Sequence, residues 1–156
     1  MSTITIADPA DPAVRVLIDE LDAYLILLYP AASNHLLDIE TLRQPQMRFF
    51  AATVGEAVLG CGGCWLHDDY AEIKRVYVSP KARGLGLAQK LMQRIEDEAR
   101  ENGRMIARLE TGIHQPEALG LYRTLGYAVR GPFGEYGQDF NSVFMEKVLG
   151  RARPMP

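Results

Sequence analysis

The stretch from Glu72 to Ala99 constrains this chain more than any other, because its side-chain period changes in the middle. Ile73, Val76, Tyr77 and Val78 are β-branched or aromatic and read as a strand, which Ser79-Pro80 ends because proline has no ladder donor. From Gly86 onward, Leu87, Ala88, Leu91, Met92, Ile95 and Ala99 fall on one helical stripe. Between the two lies Arg83-Gly84-Leu85-Gly86-Leu87-Ala88-Gln89. Glycines just before a helix leave the backbone uncovered. The first helical N–H groups have no internal partner and carry the positive end of the helix dipole. Such a turn is a seat for an anion, phosphate above all. The local charge agrees. From Ile73 to Ile95 the chain carries Lys74, Arg75, Lys81, Arg83, Lys90 and Arg94, and all 20 of its acidic residues lie elsewhere. A polyphosphate ligand is expected at this turn.

A length of 156 residues points to one domain, read as residues 1–150, with a disordered tail over 151–156. A chain of this size buries about 68–70% of its unfolded surface and needs no disulfide or metal staple. A net charge of −3 argues against broad nucleic-acid binding, which wants a basic face. No apolar run has the length of a membrane span, and MSTITIADPADP lacks the pattern of a signal peptide, so a cytoplasmic protein with no membrane partner is expected. Cys61 and Cys64 have the Cys-x-x-Cys spacing of a redox or zinc pair. They sit in VLGCGGCWL, which reads as a strand, where residues three apart point to opposite faces. Only His35, His67 and His114 could complete a four-ligand zinc site. Two small buried residues, with no metal, is the better account.

Taken in order, Thr3 to Ile6 reads as a strand, and Asp11-Pro12 as the cap and first position of a helix running to Tyr29-Pro30. That helix carries a stripe of Val14, Leu17, Leu21, Tyr24, Leu25 and Leu28. Ser33 or Asn34 caps a second short helix through Leu36, Leu37, Ile39 and Leu42. Met47–Thr53, Ala57–Leu66 and Glu72–Val78 follow as strands joined by short turns, an antiparallel meander. After the central helix, Asn102-Gly103 is a stop and Met105–Glu110 returns as a strand. The crossover makes it parallel to Glu72–Val78. A short helix from Pro116 ends at Gly126, and Tyr127–Arg130 and Ser142–Val148 are the last strands.

This order, with Val78-Ser79-Pro80 leading into Arg83-x-x-Gly86-x-Ala88, resembles the GNAT superfamily of acyl-CoA N-acyltransferases and its pyrophosphate signature Arg/Gln-x-x-Gly-x-Gly/Ala. The match extends to Leu121-Tyr122-Arg123-Thr124-Leu125-Gly126-Tyr127, similar to that family's Leu-Tyr-x-x-x-Gly-Phe/Tyr. The resemblance implies an α+β fold, a mixed and mostly antiparallel sheet flanked by helices. Its two central parallel strands splay apart, here between Val76–Val78 and Arg108–Glu110. It implies acetyl-CoA as co-substrate. Pantetheine would pair with the main chain of Val76, Tyr77 and Val78, with the pyrophosphate held by Arg83 and the amides of Gly84, Leu85, Gly86, Leu87, Ala88 and Gln89. Where many relatives have Asn, this chain has Gln115, so cofactor contact from that side chain is not implied.

The reaction so implied is acetyl transfer to a primary amine of a small molecule or peptide by direct attack. An alkylammonium with pKa near 10.4 must lose a proton, at about 4.6 kcal/mol at pH 7. A carboxylate, or water held by one, can take it. Glu72 stands where the histone-acetylating branch of the family has its base; it also reads as a strand-end glutamate paired with Lys74 or Arg75. Glu110 is a second candidate for base or amine anchor. Tyr122 is the expected proton donor to the departing thiolate, or else a core tyrosine. Asn34, His35, Glu110 and Tyr136 are expected to meet the acceptor, whose carboxylate and aromatic surroundings suit a cationic amine. A homodimer through edge strands is compatible with such a fold. Two other readings exist. A dinucleotide-binding oxidoreductase would explain Gly84-x-Gly86 and Glu110, but its third glycine is Gln89 and the preceding strands form a meander. A non-catalytic acyl-CoA-sensing module would leave Glu72 and Tyr122 without a role.

Overall fold

The computed structural model describes residues 1–30 and 38–150. Its elements are β1 (Ser2–Ile6), α1 (Pro12–Leu28), α2 (Ile39–Leu42), β2 (Met47–Val54), β3 (Ala57–Leu66), β4 (Ala71–Val78), a 3-10 turn (Pro80–Ala82), α3 (Leu87–Glu101), β5 (Ile106–Gly112), α4 (Pro116–Thr124), β6 (Ala128–Arg130) and β7 (Ser142–Val148). They build a seven-stranded sheet in the order β1-β2-β3-β4-β5-β7-β6. Every pairing is antiparallel except that of β4 with β5. Asp11 caps α1 by accepting the Ala13 N–H, with Pro12 at the first position. The short helix α2 is capped by Asp38, not by Ser33 or Asn34, which lie outside the described residues, as does the 151–156 tail. Among the described residues no helix is long and apolar enough to cross a membrane.

Each face of the sheet is covered. The α3 stripe places Leu91, Met92 and Ile95 against Phe50, Cys64, Ile73, Leu109 and Met145. On the other face Val14, Leu17 and Ile18 of α1 pack on Phe49, Ala51 and Cys61. The two cysteines thus belong to opposite layers, as the strand alternation requires, and both are free thiols. The second half of the α1 stripe behaves differently: Tyr24 is 46% exposed because it borders a groove rather than the core.

Burial pushes the Cys61 and Cys64 thiols up to about 12 from 9. It also pushes the Tyr122 hydroxyl up to about 12 from 10. Raised folded-state values stabilise fully below the unfolded pKa and are lost as pH climbs to the folded one. Stability is therefore expected to hold up to about pH 9 and to fall steadily from there toward pH 12. Thermal unfolding at pH 8, 9.5 and 11 checks this; an unchanged Tm would refute it.

Two irregularities in β4 shape the site. Its register with β3 slips between Cys61 and Gly63, so Gly62 faces both Arg75 and Val76. Arg75 takes φ 61°, the left-handed region that non-glycine residues rarely enter. Its guanidinium is held by an ion pair with Asp22 of α1, and its carbonyl accepts the Cys61 thiol at 3.7 Å. A Cβ on Gly62 would stand 2.9 Å from Val76 Cγ2 and 3.0 Å from its Cα, so the bulge leans into space that only glycine leaves. A Cβ on Gly63 would come within 2.2 Å of the Arg48 carbonyl oxygen.

Candidate active site

The parallel pair β4–β5 is joined only at Ala71 with Ala107 and Glu72 with Arg108. From Ile73 the strands part. The Ser79 N–H donates to Leu59 O of β3 at 2.8 Å. Strand alternation then turns the main-chain groups of Val78 and Val76 toward the open side. Unpaired backbone groups there require a partner. The opening continues into a groove of about 890 Å³ between the β4–α3 turn and α4, bordered by Val76, Tyr77, Val78, Arg83, Gly84, Gly86, Leu87, Ala88 and Gln89.

At its end α3 begins without a side-chain cap, on Gly86 at φ 71°. The N–H groups of Gly84, Gly86, Leu87, Ala88 and Gln89 have no acceptor among the described residues. They form the bare, positively polarised helix start that the sequence predicts. Leu85 corrects that expectation. Its N–H turns inward to Ala82 O at 3.3 Å, its side chain is exposed, and it does not border the groove. The cationic stretch also serves several ends rather than one. Lys74 pairs with Glu72, Arg75 with Asp22 and Arg94 with Glu98. Of the six cations only Arg83 borders the groove, and it reaches across to Glu117 of α4 at 3.3 Å. The polar surface at this helix start is therefore mostly main chain.

Tyr122 of α4 stands where this groove meets a second, narrower cavity; both are lined by Leu21, Val76, Gln115, Ala118 and Tyr122. The ring packs edge-on to Tyr127 at 5.9 Å. Its hydroxyl has no hydrogen-bond partner among the described residues, and burial alone keeps it protonated far above neutrality.

The second cavity holds Glu72, Lys74, Glu110, Tyr136 and Tyr29. Glu72 is only 5% exposed. Its Oε2 accepts the Tyr136 hydroxyl at 2.6 Å and the Lys74 ammonium at 2.9 Å. Its Oε1 meets His67 Nε2 at 3.0 Å. Lys74 also donates to the Tyr136 oxygen at 2.6 Å. Burial, with the nearby Glu72 charge, holds the Tyr136 hydroxyl well above its ordinary range. Glu110 Oε2 accepts the Ser142 hydroxyl at 2.8 Å. Asn34 and His35 lie outside the described residues.

Three further residues shape the two cavities in ways the sequence reading does not give. Tyr29, at the end of α1, accepts the His114 N–H at 3.0 Å and donates to Gln115 Oε1 at 3.2 Å. Gln115 also accepts the Gly112 N–H at 3.2 Å, so it organises the wall between the cavities. Lys74, read from the sequence as local charge and as a possible partner of Glu72, makes that pair and borders the narrower cavity. The Tyr-Pro ending of α1 was the one available signal for Tyr29. Gln115 is marked in the sequence only as standing where many relatives have Asn, with no role read for it.

Comparison with known proteins decides the family. Residues 15–127 match the model described as acetyltransferase (GNAT) family. The chain belongs to the GNAT acetyltransferase family. An "IAA acetyltransferase" of Azospirillum brasilense is 50% identical over 153 residues, covering 96% of this chain and all of that one. A Bacillus subtilis (strain 168) N-acetyltransferase, YsnE, is 36% identical over 94% of this chain and 99% of its own length. Among solved structures, a chain from Klebsiella pneumoniae subsp. pneumoniae MGH 78578, assigned as an acyl-CoA N-acyltransferase, superposes with TM-score 0.82 at 37% identity, over 96% of this chain and 99% of that one. A Salmonella typhimurium structure holding acetyl-CoA has TM-score 0.69 at 25% identity, covering 100% and 98%. As a GNAT member the chain is an N-acetyltransferase enzyme, and the oxidoreductase and sensing-module readings fall away.

Proposed function

We propose that this GNAT protein moves an acetyl group from acetyl-CoA to a primary amine of a small molecule or peptide, by direct attack within a ternary complex. The observation that carries the reading is the junction of the two cavities at Tyr122, whose hydroxyl has no partner among the described residues. The groove suits the CoA part: five bare N–H groups and Arg83 receive the pyrophosphate, and the open edge of Val76 and Val78 receives the pantetheine amides. Acetyl-CoA supplies the activated thioester.

In the acceptor cavity Glu72 takes the ammonium proton, through Tyr136, whose hydroxyl passes its own proton to Oε2 as it accepts the one from nitrogen. The neutral amine forms the new C–N bond at the thioester carbonyl, and the C–S bond breaks. The outgoing thiolate takes the proton of Tyr122. Glu110 is a second anion for the ammonium in this cavity. The acceptor class rests on these carboxylates and on the tyrosine rings, which favour a cation.

Free-thiol release from acetyl-CoA over a panel of primary amines, with IAA tested separately after the Azospirillum relative's name, tests the reading. Turnover with no amine would sink it. Gly86→Val fills the helix start and strains a residue at φ 71°, so acetyl-CoA affinity should fall by about 100-fold or more, roughly 2.7 kcal/mol, measured by calorimetry. Folding should survive at a cost of about 1–2 kcal/mol. Unchanged affinity would show that the anion sits elsewhere.

A further inference from the structure

We propose that His67 is a positioning residue for Glu72, holding the carboxylate by its far oxygen so that the near one faces the acceptor. The inference rests on the reading of Glu72 as the base. The two carboxylate oxygens look in different directions. Oε2 meets Tyr136 and Lys74, both of which line the acceptor cavity, while Oε1 meets His67 Nε2 at 3.0 Å. His67 borders neither that cavity nor the groove, so its one hydrogen bond to the reacting groups is this one, beside a packing route through Tyr70 and Phe133 to the Tyr136 ring.

The imidazole is itself held in place. It stacks on Tyr70 at 4.4 Å with planes 21° apart. Tyr70 is in turn sandwiched by the Arg108 guanidinium at 4.5 Å and the edge of Phe133 at 5.6 Å. The His67 N–H donates to Tyr70 O at 3.0 Å, and its carbonyl accepts Arg104 Nε at 2.7 Å. A carboxylate only accepts, so the ring presents its Nε2–H to Oε1. Without that donor, a buried oxygen of Glu72 would have no partner and the carboxylate would turn toward Lys74 and Tyr136. The oxygen that takes the amine proton would then be misplaced.

Two substitutions separate the bond from the packing. His67→Gln places an amide N–H at the position of Nε2 but loses the ring. His67→Phe keeps a ring for Tyr70 but has no donor. With the amine that the panel shows to be acetylated, His67→Phe should lower kcat by about 10–100-fold at unchanged KM for acetyl-CoA, the usual effect of a misplaced reacting group. His67→Gln should stay near the wild-type rate. The 15N shifts of the His67 ring should show a protonated Nε2 in the wild type. A fast Phe variant beside a slow Gln variant makes the ring a packing element and overturns the proposal. So do two fast variants or two equally slow ones. If Glu72→Gln itself turns over normally, the base assignment fails first and takes this inference with it. If Glu72→Gln is slow while His67→Phe is not, only the role of His67 falls.

Discussion

Replacing Tyr122 with phenylalanine is expected to lower kcat by about 100-fold or more, within the range of general acid catalysis, while acetyl-CoA binds as before. The ring keeps its edge-on contact with Tyr127, so the variant should fold. Because the hydroxyl has no partner among the described residues, removing it leaves no orphaned group behind. The lost interaction is one made only as the C–S bond breaks. Equal loss in kcat and kcat/KM is its kinetic mark. An unchanged rate would make Tyr122 a wall residue of the two cavities and leave the thiolate to solvent. Since burial lifts the hydroxyl to about 12, the donor form persists through the whole working range. The wild-type rate should therefore show no alkaline decline from this group below about pH 10.

Glu72→Gln should have an effect of similar size by another route. Its carboxylate is the partner of Lys74 and the acceptor for Tyr136, both inside the cavity. Loss of the anion removes the proton acceptor, so turnover at pH 7 should fall by about 100-fold or more. The variant then depends on amine that is already neutral in solution. Below the amine pKa, near 10.4, its rate should climb about tenfold per pH unit, converging on the wild type in alkaline buffer. Breaking a buried ion pair should also lower stability by about 3 kcal/mol, so Tm and acetyl-CoA affinity belong in the same experiment. A variant that is slow by the same factor at every pH would point to a positioning role for Glu72 and would shift the base to Glu110.

Much of this was legible in the chain, and the reasons differ by element. The change of period around Gly86 places β4 and α3 because strand and helix bury different spacings. Proline and glycine punctuation places the ends of α1, α4 and β3. The parting of β4 from β5 was legible only through the family resemblance, since no local pattern records where a ladder stops. The cations misled for a physical reason: charge counted along a strand says nothing about which face it leaves from. Lys74 and Arg75 are adjacent and both border the narrower cavity, yet Lys74 pairs with Glu72 of its own strand while Arg75, on its left-handed backbone, reaches Asp22 of α1. The hydrogen bonds of Glu72 join β4 to residues before and after it in the chain, His67 and Tyr136, and long-range meetings of that kind leave no periodic trace.

The missing side chain at Gly62 has a consequence for how this enzyme can change over time. Alanine, the mildest of replacements, would press on Val76 and squeeze the seam along which the substrate arm is expected to lie. Variation should be tolerated on the outer surface of α1, where Ile26 and Leu27 face solvent, and refused at a residue that carries no chemistry at all. An enzyme of this design protects its reactivity partly by keeping one spot empty.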